Sequence, residues 1–565
     1  MRARMLLLGA SVGASMLLGG NALAATSCED LKSLRAPDVT ITESGIVASP
    51  NAVASTLPPD NGAGPFCRVA GVIAPTADSH IQFEVWLPAN ARWNGKLQTV
   101  GNGGLSGALN RKAMLPGFAR GYATMTTDLG HTNTPPGFTA DATWASGHPD
   151  KVIDYAYRGK HLSTLAAKQL VELYYGRAPA HSYFTGCSAG GIAGLNELLR
   201  YPDDYDGYVI GNATPDHLGQ EIAAMWNTLA ASLADPANAL QPAQMDLVHR
   251  EVLRQCAGKD GGVASDPFLT DPRQCAFRAA DLQCKPGQDA ASCLTEAQVA
   301  IFDKIYGGPT NPRTGASIFA GLTPGSELGW SKYFAGKKNP VSADRPWASF
   351  MRSIVYDDPD YLTGLKYLSF DFDADYRAVQ EKMVGGETLA SSWTVDARDL
   401  TQFAAAGGKV IQYHGWDDPN IPALEAIDFR DEIVADLMAR KHLTRAGAEA
   451  ELQGYYRLFM VPGLGHCSGG DGPWSFGQNG QAPLEADAEH DTMRALELWV
   501  EGGKAPDRFI GSRIDAKTKA VDMTRPICAY PQVATWNGQG SSSDAANFRC
   551  AAPVKSAGGE RDLGR

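Results

Sequence analysis

Ile81, Phe83, Val85 and Leu87 alternate with Gln82, Glu84 and Trp86. A period of two predicts a half-buried strand. The surrounding stretch, 39–130, is strand-rich, and two further strands are expected at 95–100 and 122–127. From Val152 to Tyr175 the apolar positions take up a helical period, which predicts a long amphipathic helix. The run Ser182-Tyr183-Phe184-Thr185 reads as extended. Behind it come Gly186-Cys187-Ser188-Ala189-Gly190-Gly191 and then Ile192, Leu195, Leu198 and Leu199 on one helical face, stopped at Tyr201-Pro202. Tyr208 to Ile210 predicts one more short strand.

The alternation of strands and helices lapses from about Ala213 to about Thr394. Helical pieces at 221–233, 243–256 and 296–305 stand among short loops and scattered aromatic residues. Structureless loops of that length are rare in a compact domain, so residues 213–394 are expected to form an inserted lid domain. Alternation resumes with strands at 409–413 and 455–460 and helices at 425–438 and 491–500, followed by an irregular tail. The pattern predicts an α/β fold, a mostly parallel sheet with helices on both faces. Residues 25–212 and 395–565 would be the two parts of its core.

Composition adds three constraints. The chain has 565 residues, 44% hydrophobic and 20% charged, enough for a large core. Its formal charge of −12 argues against nucleic acid or an anionic membrane surface as partner. Arg2 and Arg4, the apolar stretches 5–8 and 16–18, and Ala22-Leu23-Ala24 read as an export signal with its cleavage site. Residues 1–24 are therefore left out of the fold, and the mature chain is expected to be secreted or periplasmic. No later run has the apolar length of a membrane span. Export makes disulfides of the ten cysteines. They allow roughly nine hundred pairings, among which local spacing favours Cys256 with Cys275, Cys284 with Cys293, and Cys528 with Cys550.

Strand, G-x-S-x-G, helix is the setting of a nucleophile elbow, in which glycines let strand and helix approach while the serine is thrust outward. A serine hydroxyl needs a base, and the base needs an orienting acid. Asp417 and Asp418 follow one predicted strand, and His466 lies in a glycine-rich loop after the next. His414 is the competing base, but it shares a strand exit with the aspartates. The order Ser188, Asp, His is that of the α/β-hydrolases. An oxyanion hole would use the N–H of Ala189 and a second donor from the Gly101–Gly107 loop. That loop lacks the Gly-Lys-Ser/Thr of a phosphate-binding loop.

Phe66-Cys67, Trp93-Asn94-Gly95, the Gly101–Gly107 loop, the Cys187-Ser188 elbow, Tyr413-His414-Gly415-Trp416-Asp417-Asp418 and Pro462-Gly463-Leu464-Gly465-His466-Cys467 together resemble the tannase/feruloyl esterase family of α/β-hydrolases. That family includes the mono(2-hydroxyethyl) terephthalate hydrolase. The resemblance implies Ser188 as nucleophile, His466 as base, Asp418 as its orienter, Asp417 as bystander, and Gly104 beside Ala189 as oxyanion donor. It implies five disulfides: Cys28–Cys67, Cys187–Cys467, Cys256–Cys275, Cys284–Cys293 and Cys528–Cys550. It also implies an ester of a small aromatic acid, feruloyl or galloyl, as substrate, with residues near 320–350 shaping the acid pocket. A terephthalate half-ester fits less well, because Ala189 stands where that hydrolase has glutamate and no counterpart of its carboxylate-binding arginine is evident. A non-catalytic polyphenol-binding protein on the same scaffold is the alternative of another class; it would have no need of an intact Ser188, Asp418 and His466. Many relatives carry a lid calcium loop rich in aspartate. Here Cys256-Ala257-Gly258-Lys259-Asp260-Gly261-Gly262-Val263 leaves only Asp260 at a ligand-like place, with Asp266 and Asp271 as substitutes. A tight calcium site is not expected, and the chemistry requires no cofactor. Oligomeric state is not legible.

Overall fold

The computed structural model describes residues 25–57, 64–133, 139–233, 236–336, 345–396, 398–515 and 517–553. The expected export signal lies outside them. Nine strands form one sheet: β1 (Val39–Val47), β2 (Phe66–Ile73), β3 (Ile81–Pro88), β4 (Lys96–Val100), β5 (Ala123–Thr127), β6 (His181–Cys187), β7 (Gly207–Gly211), β8 (Lys409–Gly415) and β9 (Tyr456–Val461). Their spatial order is β1-β2-β3-β5-β4-β6-β7-β8-β9. The first three strands pair antiparallel, β3 pairs antiparallel with β5, and every pair from β5 to β9 is parallel.

The parallel strands are buried on both faces, as crossover helices require. Phe184, Tyr208, Ile210, Val410 and Leu458 pack to one side with the helix Leu424–Lys441. Their neighbours Tyr183, Val209, Ile411 and Phe459 pack to the other with Leu496 and Trp499 of the helix Thr492–Gly502. Strand β3 differs from its expected half-burial: of its eight residues only Gln82 is partly exposed. Glu84 is fully buried, and its carboxylate accepts from Arg68, Arg111 and the Trp86 indole. The polar position of the alternation is thus an internal ion cluster and not a wet face. Burial pushes the Glu84 carboxyl up, but Arg111 and Arg68 outweigh it and hold it low.

The long helix also departs from a simple period. Pro149–Ile153 leads into one π turn, Asp154–Arg158, before α1 (Gly159–Tyr175). The wider turn re-aims Tyr155, and such turns recur at functional sites. Glycine is required at 159, where a Cβ would lie 2.7 Å from the Asp154 carbonyl and 3.2 Å from Leu129.

Among the described residues between Gly211 and Lys409 none adds a strand to the nine-stranded sheet. Part of this segment has its own core, with Met245, Val248, Phe277, Phe302 and Trp330. The rest buries Leu218, Ile222, Trp347, Phe350 and Trp393 against Leu105, Leu129 and Tyr155 of the preceding core. The tail is not irregular: Arg508–Ile514 and Val521–Cys528 form an antiparallel pair, and Val533–Trp536 pairs with Phe548–Ala551. These strands interleave charged residues with apolar ones and carry Pro526, which hides the period in the sequence.

The tail grips the inserted segment through a buried ion pair. Arg525 donates to both carboxylate oxygens of Asp266 at 2.6 and 3.1 Å, with its guanidinium over the Phe548 ring. Both residues are almost fully buried. Removing one partner would leave the other charge buried and unpaired, at a cost of about 3–5 kcal/mol. Arg525→Met should therefore lower the urea midpoint strongly, and Arg525→Met with Asp266→Leu should recover most of the loss. Equal midpoints for the single variant and the parent would show that the pair is not a tie.

Candidate active site

Strand β6 ends at Cys187 and α2 (Ala189–Arg200) begins at once. Ser188 between them has φ 61° and ψ −134°. A non-glycine residue held there costs on the order of 1–3 kcal/mol. The surroundings enforce it. The Ser188 N–H donates to the Gly211 carbonyl at 3.0 Å, and the Ser188 carbonyl starts α2 by accepting from Ile192. A Cβ at Gly186 would meet the Gly190 carbonyl at 2.3 Å, and one at Gly190 would meet the Asn102 carbonyl at 2.8 Å. The three backbones touch, and glycine is what lets them.

His466 and Asp418 come from the loops after β9 and β8. His466 Nε2 lies 2.7 Å from Ser188 Oγ, and Nδ1 lies 2.9 and 3.0 Å from the two Asp418 oxygens. With the carboxylate ionised, Nδ1–H donates to it and Nε2 accepts from the serine hydroxyl. Burial pushes the Asp418 carboxyl up, but the His466 imidazole and the neighbouring His414 ring hold it far below the usual range. Asp418 Oδ1 also accepts from the N–H groups of Asn420 and Ile421, and Oδ2 accepts from Asn212 Nδ2 at 2.6 Å. His414 is fully buried behind this carboxylate, 3.5 Å from Oδ2, and its Nε2 donates to the Ile421 carbonyl. It does not compete as base. Asp417 points elsewhere: burial pushes its carboxyl well up, against the pull of His249, and its Oδ1 has no hydrogen-bond partner.

The Gly101–Gly107 loop is braced from three sides. Lys160 Nζ donates to the Val100 carbonyl at 2.7 Å, Asn102 Nδ2 to the Thr127 carbonyl at 2.9 Å, and Tyr155 Oη to the Gly104 carbonyl at 2.9 Å. Gly104 has φ 53°, and a Cβ there would be 2.5 Å from the Thr139 carbonyl. Gly104, Ala189, Ser188 and His466 line one cavity of about 500 Å³. Its far walls are α3 (His217–Thr228) and the stretches 332–334 and 345–347 of the inserted segment. Tyr333 sits edge-on to the His466 ring. Sequence reasoning missed Asn212 and Tyr155. The signal for Asn212 was its place two residues beyond a predicted strand end. Tyr155 gave none. The lining stretches 332–334 and 345–347 fall within the 320–350 expected near the pocket.

Five cystines join Cys28 to Cys67, Cys187 to Cys467, Cys256 to Cys275, Cys284 to Cys293, and Cys528 to Cys550. Cys187 and Cys467 each adjoin a site residue, and they close a span of 280 residues.

A family model described as "Tannase and feruloyl esterase" matches residues 67–551. The chain belongs to the tannase and feruloyl esterase family. An "Uncharacterized esterase" of Xanthomonas campestris pv. campestris is 36% identical over 560 residues, covering 96% of this chain and 93% of the relative. A "Probable feruloyl esterase B-1" of Aspergillus flavus is 31% identical over 489 residues, 86% of each chain. The crystal structure of feruloyl esterase B from Aspergillus oryzae superposes with a TM-score of 0.79 at 26% identity, covering 93% of this chain and 99% of that one. The fold is thus the α/β-hydrolase type of these esterases.

The family's calcium loop finds a poor donor set here. Asp260 Oδ1 accepts from the Gly262 N–H, and Oδ2 accepts from the N–H groups of Thr270 and Asp271. Asp266 is held by Arg525 and Asp271 by Arg273. Calcium needs six to eight oxygens with several free carboxylates, and these residues do not fit it.

All ten cysteines lie among the described residues, and none is free. The native protein should keep full activity with an alkylating reagent alone and lose activity once reductant is added. The chain-entropy model assigns a bridge of this length about 5 kcal/mol. Inactivation by the alkylating reagent alone would contradict the Cys187–Cys467 bond.

Proposed function

We propose that the chain is an exported serine carboxylesterase for esters of small aromatic acids, feruloyl or galloyl in type, acting through an acyl-enzyme. The hydrogen-bonded line Ser188–His466–Asp418, opening on a cavity beside the Gly104 and Ala189 amides, is the observation that carries the reading. His466 Nε2 takes the Ser188 proton as Oγ attacks the ester carbonyl carbon. The two N–H groups receive the oxyanion. Nε2–H then protonates the departing alcohol oxygen, and water repeats the sequence on the acyl-enzyme. Asp418 keeps the imidazole in the Nδ1–H tautomer and stabilises the imidazolium. No cofactor enters any step. The paired cysteines and the family's esterase names support export and the aromatic acid. A polyphenol-binding protein would have no use for an oriented, hydrogen-bonded imidazole. The half-ester of terephthalate is the comparison substrate, and the feruloyl esterase relatives do not favour it.

The test is hydrolysis of methyl ferulate, methyl gallate and the terephthalate half-ester by the purified protein. The aromatic methyl esters should be turned over and Ser188→Ala should abolish the reaction. Turnover of the half-ester alone would overturn the substrate assignment. Asp418→Asn should lower kcat by roughly 10³–10⁴, since an amide can select the wrong tautomer. Asp417→Asn should change it little. The reverse ranking, read by steady-state kinetics, would exchange their roles.

A further inference from the structure

The wall of the cavity facing the elbow is one face of α3: His217, Gln220, Glu221, Ala224, Asn227 and Thr228. These positions recur at helical spacing, so the face is built toward the cavity. An aromatic-acid pocket would ordinarily be apolar here, yet the face is polar and almost dry. Glu221 is 2% exposed. Its Oε2 has no hydrogen-bond partner, and its Oε1 is 3.6 Å from His217 Nε2, beyond hydrogen-bond reach. One helical turn and a half further on, Asn227 Oδ1 is buried without a partner, and so is Trp347 Nε1 on the opposite stretch. A buried acceptor oxygen without a donor is costly to leave unmet. A molecule that brings hydroxyl donors into the cavity would remove that cost.

Its place relative to the reacting atoms follows from the chemistry. The leaving oxygen must lie against His466, which protonates it, and His466 is flanked by Tyr333. The carbonyl oxygen must lie at Gly104. The Tyr155 ring lies 6.1 Å from that of His217, one turn before Glu221 on the same face, and Tyr155 Oη holds the Gly104 carbonyl. Glu221 is therefore associated with the oxyanion side and the acyl group rather than with the leaving alcohol.

We propose that Glu221 is a specificity residue that accepts a hydrogen bond from a ring hydroxyl of the acyl group, with Asn227 and Trp347 as further polar contacts. This rests on the esterase reading and sharpens it: the preferred acid is a free phenol and not merely an aromatic ring. Leaving a buried acceptor unsatisfied supports discrimination of roughly 10- to 100-fold.

The experiment compares kcat/KM for methyl ferulate, methyl 3,4-dimethoxycinnamate and methyl cinnamate. The parent should favour methyl ferulate over both analogues by roughly 10- to 100-fold. Glu221→Ala should bring the ratios close to one, chiefly by lowering kcat/KM for the phenol. Glu221→Gln, which keeps a neutral acceptor, should retain part of the preference. A purely structural role would lower all three substrates together and leave the ratios intact, and that result overturns the proposal. Equal rates on all three esters by the parent would also overturn it while leaving the esterase reading in place, and would do so even if the alanine variant does not fold. No hydrolysis of any ester would remove both.

Discussion

Three backbones meet at Ser188, and the site depends on that meeting. The end of β6, the start of α2 and the Gly101–Gly104 loop approach so closely that a methyl group at Gly186 or Gly190 would collide with a carbonyl. The contact holds Ser188 in a conformation that an isolated serine would leave. The same contact fixes the oxyanion loop, because the Gly190 backbone is the surface against which Gly101 rests. The proposed nucleophile and the proposed oxyanion donors are thus set by one packing event. The Cys187–Cys467 bond then ties the His466 loop after β9 to the elbow, across a span of 280 residues.

The buried carboxylate is the second fixed part. Asp418 is dry, and a dry charge is tolerated only when its lone pairs are used. Two backbone N–H groups, the Asn212 amide and the His466 imidazole use them. Asp417 one residue earlier has none of these partners and is pushed towards its neutral form. Adjacent aspartates in one turn therefore differ in their partners: the Asp418 oxygens are fully engaged, and Asp417 Oδ1 has none. That difference cannot be read from Gly415-Trp416-Asp417-Asp418 as letters. The choice of Asp418 over Asp417 in the sequence rests on the family resemblance.

Much of the frame was legible because its signals are local. Strands β3 to β9 and the helices Gly159–Tyr175, Ala189–Arg200, Leu424–Lys441 and Thr492–Gly502 follow from apolar period and length. The elbow follows from glycines at fixed offsets. What escaped depends on partners far away in the chain. Glu84 looked like a solvent-facing position until Arg68 and Arg111 were placed beside it. The tail looked irregular because Arg525, charged and in mid-strand, is satisfied by Asp266 some 260 residues earlier. The π turn at Asp154–Arg158 leaves no mark on a helical period, yet it re-aims Tyr155 at the oxyanion loop. Around Asp260 the loop already lacks the aspartates of its relatives, and backbone amides and guanidinium groups engage the carboxylates that remain.

The central claim is that packing and one cystine make Ser188 the single activated hydroxyl of the protein. It is tested most directly by treating the native protein with a fluorophosphonate and locating the adduct by peptide mass mapping. The account predicts one phosphonate per chain, on Ser188. A label spread over other hydroxyls, or none under conditions where the protein is folded, would contradict it.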